Sequence, residues 1–350
     1  MFMLRALGLA TMAGCLIVSA PTWASPSYTA TTYVVSDVSA DGSTVVGYPG
    51  NRQPPGSTLI VNGVPVDIAT GGLNVLAYGA ADDGSLAGGT IEGGSITIGS
   101  AMYWTAATGW TPLGAPDGTP GPCDTTLNSV SAVSGSGQYI IGQTSTSLGV
   151  CRTRAYRWDQ VNGFQVLMGS VPTYTTTAWG VSDDGTIVAG VDHAGSSNQQ
   201  ACYWDISGTQ YLIPAAVPSR AWGVSHNGQY IVGESTIDGA WVYSVVTGAY
   251  QPIGQLISWA RSGAGFAVSD DGNTVVGAHN EGFSIYADGF IWINGTGLRD
   301  LGTYLVEQGV PVGRWDPFNT AHHMSADATV FGGTVGTALG ATGGFVATLY

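Results

Sequence analysis

Lysine is missing from this chain altogether, and all nine basic residues are arginine. A Schiff-base lysine and a phosphate-loop lysine are thereby excluded. Charge of either sign is scarce, at 9% of residues against roughly 25% in a typical soluble protein. What charge there is leans acidic, for a net −14, so nucleic acid and anionic membrane surfaces are not expected as main partners, since both select a basic footprint. Cysteine is sparse, with four in 350 residues, no CxxC pair and only five scattered histidines. That leaves a zinc site without support in the sequence, and no cofactor or metal is expected. No apolar run reaches the ~20 residues that span a bilayer. Disorder is excluded as well, because 44% of the chain is hydrophobic and disordered segments pair low hydrophobicity with high charge.

Glycine, by contrast, is abundant: 54 of 350 residues, about twice the usual ~7%. The composition points to a glycine-rich, β-leaning globular protein.

The first 24 residues read as an address. Met1 to Arg5 form a short basic head, Ala6 to Ala20 an apolar run, and Thr22-Trp23-Ala24 a small-residue cleavage site. Residues 1–24 are read as a secretory signal peptide cut before Ser25. Residues 25–350 are read as one domain, with 8 arginines against 23 acids and a net charge of −15. The alternative is a lipoprotein box, Met12-Ala13-Gly14-Cys15, with Cys15 acylated. Met12 leads such a box poorly and the apolar run continues past Cys15. Either way the expected location is periplasmic or extracellular.

The dominant signal is an internal repeat. VSADGSTVVG from Val38 recurs as AADDGSLAGG from Ala80, VSGSGQYIIG from Val133 and VSDDGTIVAG from Val181. It returns as VSHNGQYIVG from Val224, VSDDGNTVVG from Val268 and a worn MSADATVFGG from Met324. The turn positions are Gly42, Gly84, Gly137, Gly185, Gly228, Gly272 and Ala328, about 48 residues apart on average. Asp-Gly between two apolar runs is a hairpin signal, because a primed turn needs φ > 0. A third strand carries Ala-x-x-Trp, as in Ala101 to Trp104, Ala155 to Trp158 and Ala201 to Trp204, and a short turn leads to a fourth. Four strands in 40 to 50 residues, seven times over, predict an all-β fold: a β-propeller of seven four-stranded blades. The last copy stops at a third strand, GGFVATL, and the stretch Tyr28 to Thr32 is free to supply the missing fourth. Such pairing closes one blade with both termini and removes open sheet edges. A β-helix solenoid is the alternative, with shorter rungs and a need for capping ends.

These strings resemble the HAF family of bacterial extracellular repeats. The resemblance rests on the VSxDGxxVVG copies, the AxxW strands, the segment LRDLGTYLVEQGVPVGRWDPFNTAHHMSADATVFGG and the closing GGFVATL. It covers essentially all of residues 25–350. Arg314 between Gly313 and Trp315, and Ala328 at the last turn, depart from the family pattern. Membership implies export and residence at the surface or in the periplasm, and it brings no established activity.

The repeated serines before the turns invite a nucleophile reading, but repetition argues against it, since catalysis needs one activated serine beside a base. A hydroxyl bonding the turn backbone is expected instead. The paired acids Asp82-Asp83, Asp183-Asp184 and Asp270-Asp271 lack the ligand spacing of an EF-type loop and are read as turn chemistry. Tyr78, Trp179, Trp222 and Phe266 share one position on the first strand, on the same parity as Val181, Val224 and Val268, and are expected in the inter-blade core. A stacking platform for sugars on the channel is the competing reading. In the last copy that position is His322, followed by His323, the main break in the pattern near the axis.

Blade topology places Cys123 and Cys151 on one face, and a Cys123–Cys151 disulfide is expected, with Cys202 a free buried thiol. The same loop face gathers the candidate binding residues Asp192, His193, His279, Glu281, Arg314, Trp315 and Asp316, joined by His322 near the axis. The function expected is an exported, monomeric binding module for a glycan or a protein. A propeller hydrolase or lyase, drawing on Glu234, His279, His322 and Arg314, and a purely structural envelope component are the alternatives.

Overall fold

A computed structural model describes residues 25–349, apart from 50–56, 69–73, 92–100, 115, 117–127, 147–151, 173, 195–196, 255–261, 281–286, 313–319 and 338–339. Residues 1–24, expected to be a signal peptide and including Cys15, lie outside the described residues, as do Cys123, Cys151, Glu281, Arg314, Trp315 and Asp316. Among those described, no helix is long and apolar enough to cross a membrane.

The strands form seven four-stranded antiparallel sheets in a ring, a seven-bladed β-propeller. Blades one to six run in chain order from the strands Tyr33–Val38, Val75–Ala80, Ser129–Val133, Thr176–Val181, Ser219–Val224 and Ser262–Val268, each followed outward by three more. Blade seven takes Thr320–Met324, Val330–Thr337 and Gly340–Thr348 from the C-terminal end and closes with Ser27–Thr31, paired antiparallel with Ser27 opposite Thr348. A short helix, Leu301–Glu307, capped by the Asp300 carboxylate accepting from Thr303 N–H, packs Leu301 and Leu305 into the core between blades six and seven.

One blade cannot cover both its faces, so the core divides into clusters that each straddle two blades. Ile141, Ala155 and Leu167 of blade three meet Ala178, Val188, Cys202 and Trp204 of blade four. The tryptophans of the third strands reach back to the preceding blade: Trp204 Nε1 donates to Met168 O at 2.8 Å. Truncating a large aromatic residue in such a seam costs roughly 3–5 kcal/mol. Cys202 sits there as a free, fully buried thiol.

The turns repeat one hydrogen-bond design. In blade four Ser182 Oγ donates to Asp184 Oδ1 at 2.7 Å and accepts from Ile187 N–H at 3.1 Å, while Asp184 Oδ1 accepts from Thr186 N–H at 2.9 Å. The serines are thus turn braces. Six turn glycines hold φ between 68° and 73°, and Ala328 holds the same left-handed conformation at φ 58°. Asp41, Asp184, Asn227, Asp271 and Asp327 serve as the brace acceptor.

The residue before each brace acceptor ties its blade to the next. Asp82 N–H donates to Gly135 O, Asp183 N–H to His226 O, Asp270 N–H to Ala326 O and Ala326 N–H to Ala40 O, each at 2.8 Å. Ala40 N–H to Asp82 Oδ1, Ser136 N–H to Asp183 O and Asn227 N–H to Asp270 Oδ1 complete the circle across all seven seams.

Just inside the turns the first strands crowd together. A Cβ on Gly223 would stand 2.0 Å from Phe266 O, and one on Gly180 3.0 Å from the Cα of Gly223. Both clashing atoms are backbone, so neither can swing away. Gly223→Ala is expected to destabilise the protein by about 3 kcal/mol, at the upper end of overpacking penalties. Ala328→Gly is expected to stabilise it by about 1 kcal/mol by relieving the left-handed alanine. Urea denaturation of both variants checks the pair, and a neutral Gly223→Ala would refute the crowding argument.

Candidate functional site: the axial channel

Each first strand contains one bulge, and it falls at the same place in every blade. The ladder skips Ser36, Tyr78, Ser131, Trp179, Trp222, Phe266 and His322. An extra residue in a strand re-aims its side chain and flips the parity beyond it. The expectation that Tyr78, Trp179, Trp222 and Phe266 join the inter-blade core is therefore corrected. All four line a cavity of about 450 Å³ on the propeller axis and are only partly buried.

The cavity is chemically lopsided. From blade four to blade seven the rings make a continuous arc: Trp179 stacks on Trp222 at 4.3 Å, Trp222 meets Phe266 edge-on at 6.0 Å, and Phe266 lies 4.6 Å from the His322 ring. Tyr78 of blade two, 5.5 Å from Tyr48, faces the cavity between Ser36 and Ser131. One residue further along, the wall is made of the small Ala132, Gly180, Gly223 and Ala267, interrupted by Asp37 and His323, with Asp37 Oδ1 3.7 Å from His323 Nδ1.

The turn ring forms the other end. Its seven inner positions are Ala40, Asp82, Gly135, Asp183, His226, Asp270 and Ala326. Asp82, Asp183 and His226 line the cavity, with one ligand-type atom of each within 4.8 Å of the others. His226 Nδ1 lies 2.8 Å from Asp183 Oδ1 and its Nε2 3.0 Å from Met324 O, two blades away. Both partners only accept, so both ring nitrogens carry protons and His226 is an imidazolium. Burial opposes that charge, but the hydrogen bond and charge of Asp183, the Met324 carbonyl and Asp37 outweigh it, raising the pKa to about 9.

Burial pushes the Asp37 carboxyl up to about 7, against the Ala80 and Val38 amides and His226, which pull it down. Asp82 is raised by burial and then by the neighbouring Asp183 charge. Burial lowers His322 to about 4 and His323 to about 3, where the neighbouring His322 and His226 rings further disfavour a second proton. His322 Nε2 is 2.7 Å from Thr320 Oγ1.

Of the candidate binding residues expected on the loop face and near the axis, His322 lines the cavity, and the other described ones, Asp192, His193 and His279, are not among its lining. His279 is fully buried against Phe290 at 4.6 Å, and burial lowers its pKa to about 4. Asp192 is buried and accepts from Ser170 N–H at 2.9 Å, Ser170 Oγ at 2.6 Å and His193 N–H at 2.8 Å, anchoring a loop. His193 stacks on Tyr174 at 4.0 Å in that same loop. Glu234 pairs with Arg220 at 3.3 Å. Asp37, Asp82, Asp183, His226 and His323 were not singled out as a site. The signal for the turn ring lay in the repeat itself: the inner turn position varies as Ala, Asp, Gly, Asp, His, Asp, Ala while its flanks repeat.

The Asp183–His226 pair has a definite pH signature. The folded state holds the His226 proton to about 9, the unfolded chain only to ~6.5. Its contribution, on the order of 3 kcal/mol, is full below pH 6.5 and is lost as pH rises through about 9. Wild-type stability in urea is expected to fall between pH 7 and 9.5, and His226→Gln to remove that fall. Parallel curves for the two proteins would refute the assignment.

No family model matches the chain, and no curated protein matches it. Among solved structures, a putative TolB from Agrobacterium tumefaciens is similar at 16% identity and a TM-score of 0.44, over 64% of this chain and 78% of that one. TolB from Acinetobacter baumannii is similar at 12% identity and a TM-score of 0.44, over 72% of this chain and 60% of that one.

Proposed function

We propose that this chain is an exported propeller of the HAF-like repeat type, resident in the periplasm or outside the cell, that binds a saccharide in its axial channel. One observation carries the reading: the arc of Trp179, Trp222 and Phe266 presents ring surface to a cavity instead of to a core. Leaving apolar area in contact with water forgoes roughly 25 cal/mol per Å². The bulge recurs in every blade, but a core has no reason to set large rings on the residue that it turns into a channel. A flat aromatic surface suits the C–H face of a sugar, while Asp37 and Asp82 beyond it suit hydroxyl donors. The volume falls within the ~300–1,000 Å³ of ordinary ligand pockets.

The hydrolase reading draws less support. Of its expected cast, His279 is in the core and Glu234 is tied to Arg220, and His322 alone of the described members lines the channel.

The test is a binding screen of oligosaccharides against residues 25–350, with Trp179→Ala and Trp222→Ala beside the wild type. Loss of a central aromatic anchor typically weakens binding by 2 kcal/mol or more, so a fall in affinity of at least tenfold is expected in variants that still melt cooperatively. Unchanged affinity in both would overturn the channel as the binding site.

A further inference from the structure

We infer that the saccharide taken by the channel is uncharged, and that Asp37 and Asp82 bar sugars bearing carboxylate, sulfate or phosphate groups. This rests on the saccharide reading above and names the chemical class of its ligand.

The wall holds three carboxylates, Asp37, Asp82 and Asp183, and among the described residues no arginine lines it. The chain has no lysine to offer. Arg220, whose Cζ lies 5.8 Å from the Trp222 ring, is paired with Glu234. Arg157 donates to Gly185 O at 2.7 Å and Asp205 O at 2.9 Å, away from the axis.

An acidic sugar therefore finds no free cation on this wall. The one charged donor is His226, and its two ring nitrogens already serve Asp183 and Met324 O. With the imidazolium answered by Asp183, an incoming anion meets Asp37 and Asp82. Neither carboxylate is free to turn away. Asp37 Oδ1 accepts from Val38 N–H at 2.9 Å and its Oδ2 from Ala80 N–H of the next blade at 3.2 Å. Asp82 Oδ1 accepts in return from Ala40 N–H of blade one at 3.2 Å.

A cationic sugar is no better placed. Ligand-type atoms of Asp82, Asp183 and His226 lie within 4.8 Å of one another, so a cation that approaches the acids also approaches the imidazolium. An uncharged sugar meets neither repulsion. The wall across from the aromatic arc is lined by Ser36, Tyr48, Tyr78 and Ser131, all neutral and hydroxyl-bearing. Hydroxyls both donate and accept, and those of a sugar can also donate to the two fixed carboxylates.

The experiment pairs oligomers of glucose, galactose and mannose with equal-length oligomers of glucuronic, galacturonic and mannuronic acid. Titration calorimetry on residues 25–350 at low salt reads the affinities. Like charges about 6 Å apart at an effective dielectric of ~20 weaken binding roughly a hundredfold. A neutral series is thus expected to bind at least about tenfold more tightly than its uronic counterpart at pH 8. Asp82→Asn, which keeps an acceptor for Ala40 N–H, is expected to narrow that gap at least about threefold.

The wild type supplies a second measurement that needs no variant to fold. Burial holds the Asp37 carboxyl up to about 7, so a drop from pH 8 to pH 5 discharges it while the sugar carboxylates stay ionised. Asp82, raised by burial, moves the same way. His226, at about 9, keeps its charge and its bond to Asp183, and His322 and His323, at about 4 and about 3, stay neutral. The gap is expected to narrow at least about threefold over this drop. A uronic series that binds as tightly as its neutral counterpart overturns the charge selection and leaves the saccharide channel standing. A gap that neither Asp82→Asn nor the drop in pH narrows does the same. Binding of none of the six overturns both.

Discussion

The ring of turn hydrogen bonds is the constraint on which everything else hangs. Seven first strands must converge on one axis, and each turn donates to or accepts from its neighbour until Ala326 N–H returns to Ala40 O. The circle, with five links from backbone to backbone and two that end on the Asp82 and Asp270 carboxylates, has little slack. It fixes the spacing of the inner strands, which in turn demands Gly79, Gly180 and Gly223 where a Cβ would run into the next blade's backbone. The hydrophobic seams further out then fill the wedges that open between diverging sheets. Closure of blade seven by Ser27–Thr31 ties both ends of the chain into one sheet, so the ring does not open and leave two blade faces uncovered.

Crowding at the axis also explains the bulges. A regular strand would alternate side chains between its two flanking seams. An extra residue before the narrowest point turns one side chain per blade inward, and these seven residues become the channel wall. In three blades that residue is Trp179, Trp222 or Phe266, and in the seventh it is His322. The wall is thus sided, aromatic from blade four to blade seven and more polar across the axis. A seven-fold repeat has no such side, and the proposed saccharide reading rests on that asymmetry.

Charge is handled with few groups. The chain owns no lysine, its described arginines lie outside the cavity wall, and the histidines there are sorted by environment. His226, between Asp183 and Met324 O, is held charged; His322 and His323, without comparable anionic contacts, are held neutral by burial. Identical side chains within one cavity take opposite charge states because only one of them has acceptors at hydrogen-bond distance on both nitrogens.

Periodicity determined the architecture. The Asp-Gly turns, the Ala-x-x-Trp strands and the unfinished last copy dictated seven blades and terminal closure, because each is a local pattern with one geometric solution. The brace role of the serines and the buried state of Cys202 followed from the same alignment. The site was only half legible. Tyr78, Trp179, Trp222, Phe266 and His322 stood out as one column, but strand parity assigned the four rings to the core, and the bulge that reverses parity has no motif of its own. Asp82 and Asp183 read as turn residues because the paired acids look alike in sequence; only the closed ring gives the first of each pair a different surrounding from the second. His226 and Met324 are 98 residues apart, and nothing but the closure of the ring brings them together. Local pattern set what each blade is, and the meeting of seven blades at one axis decided what the channel holds.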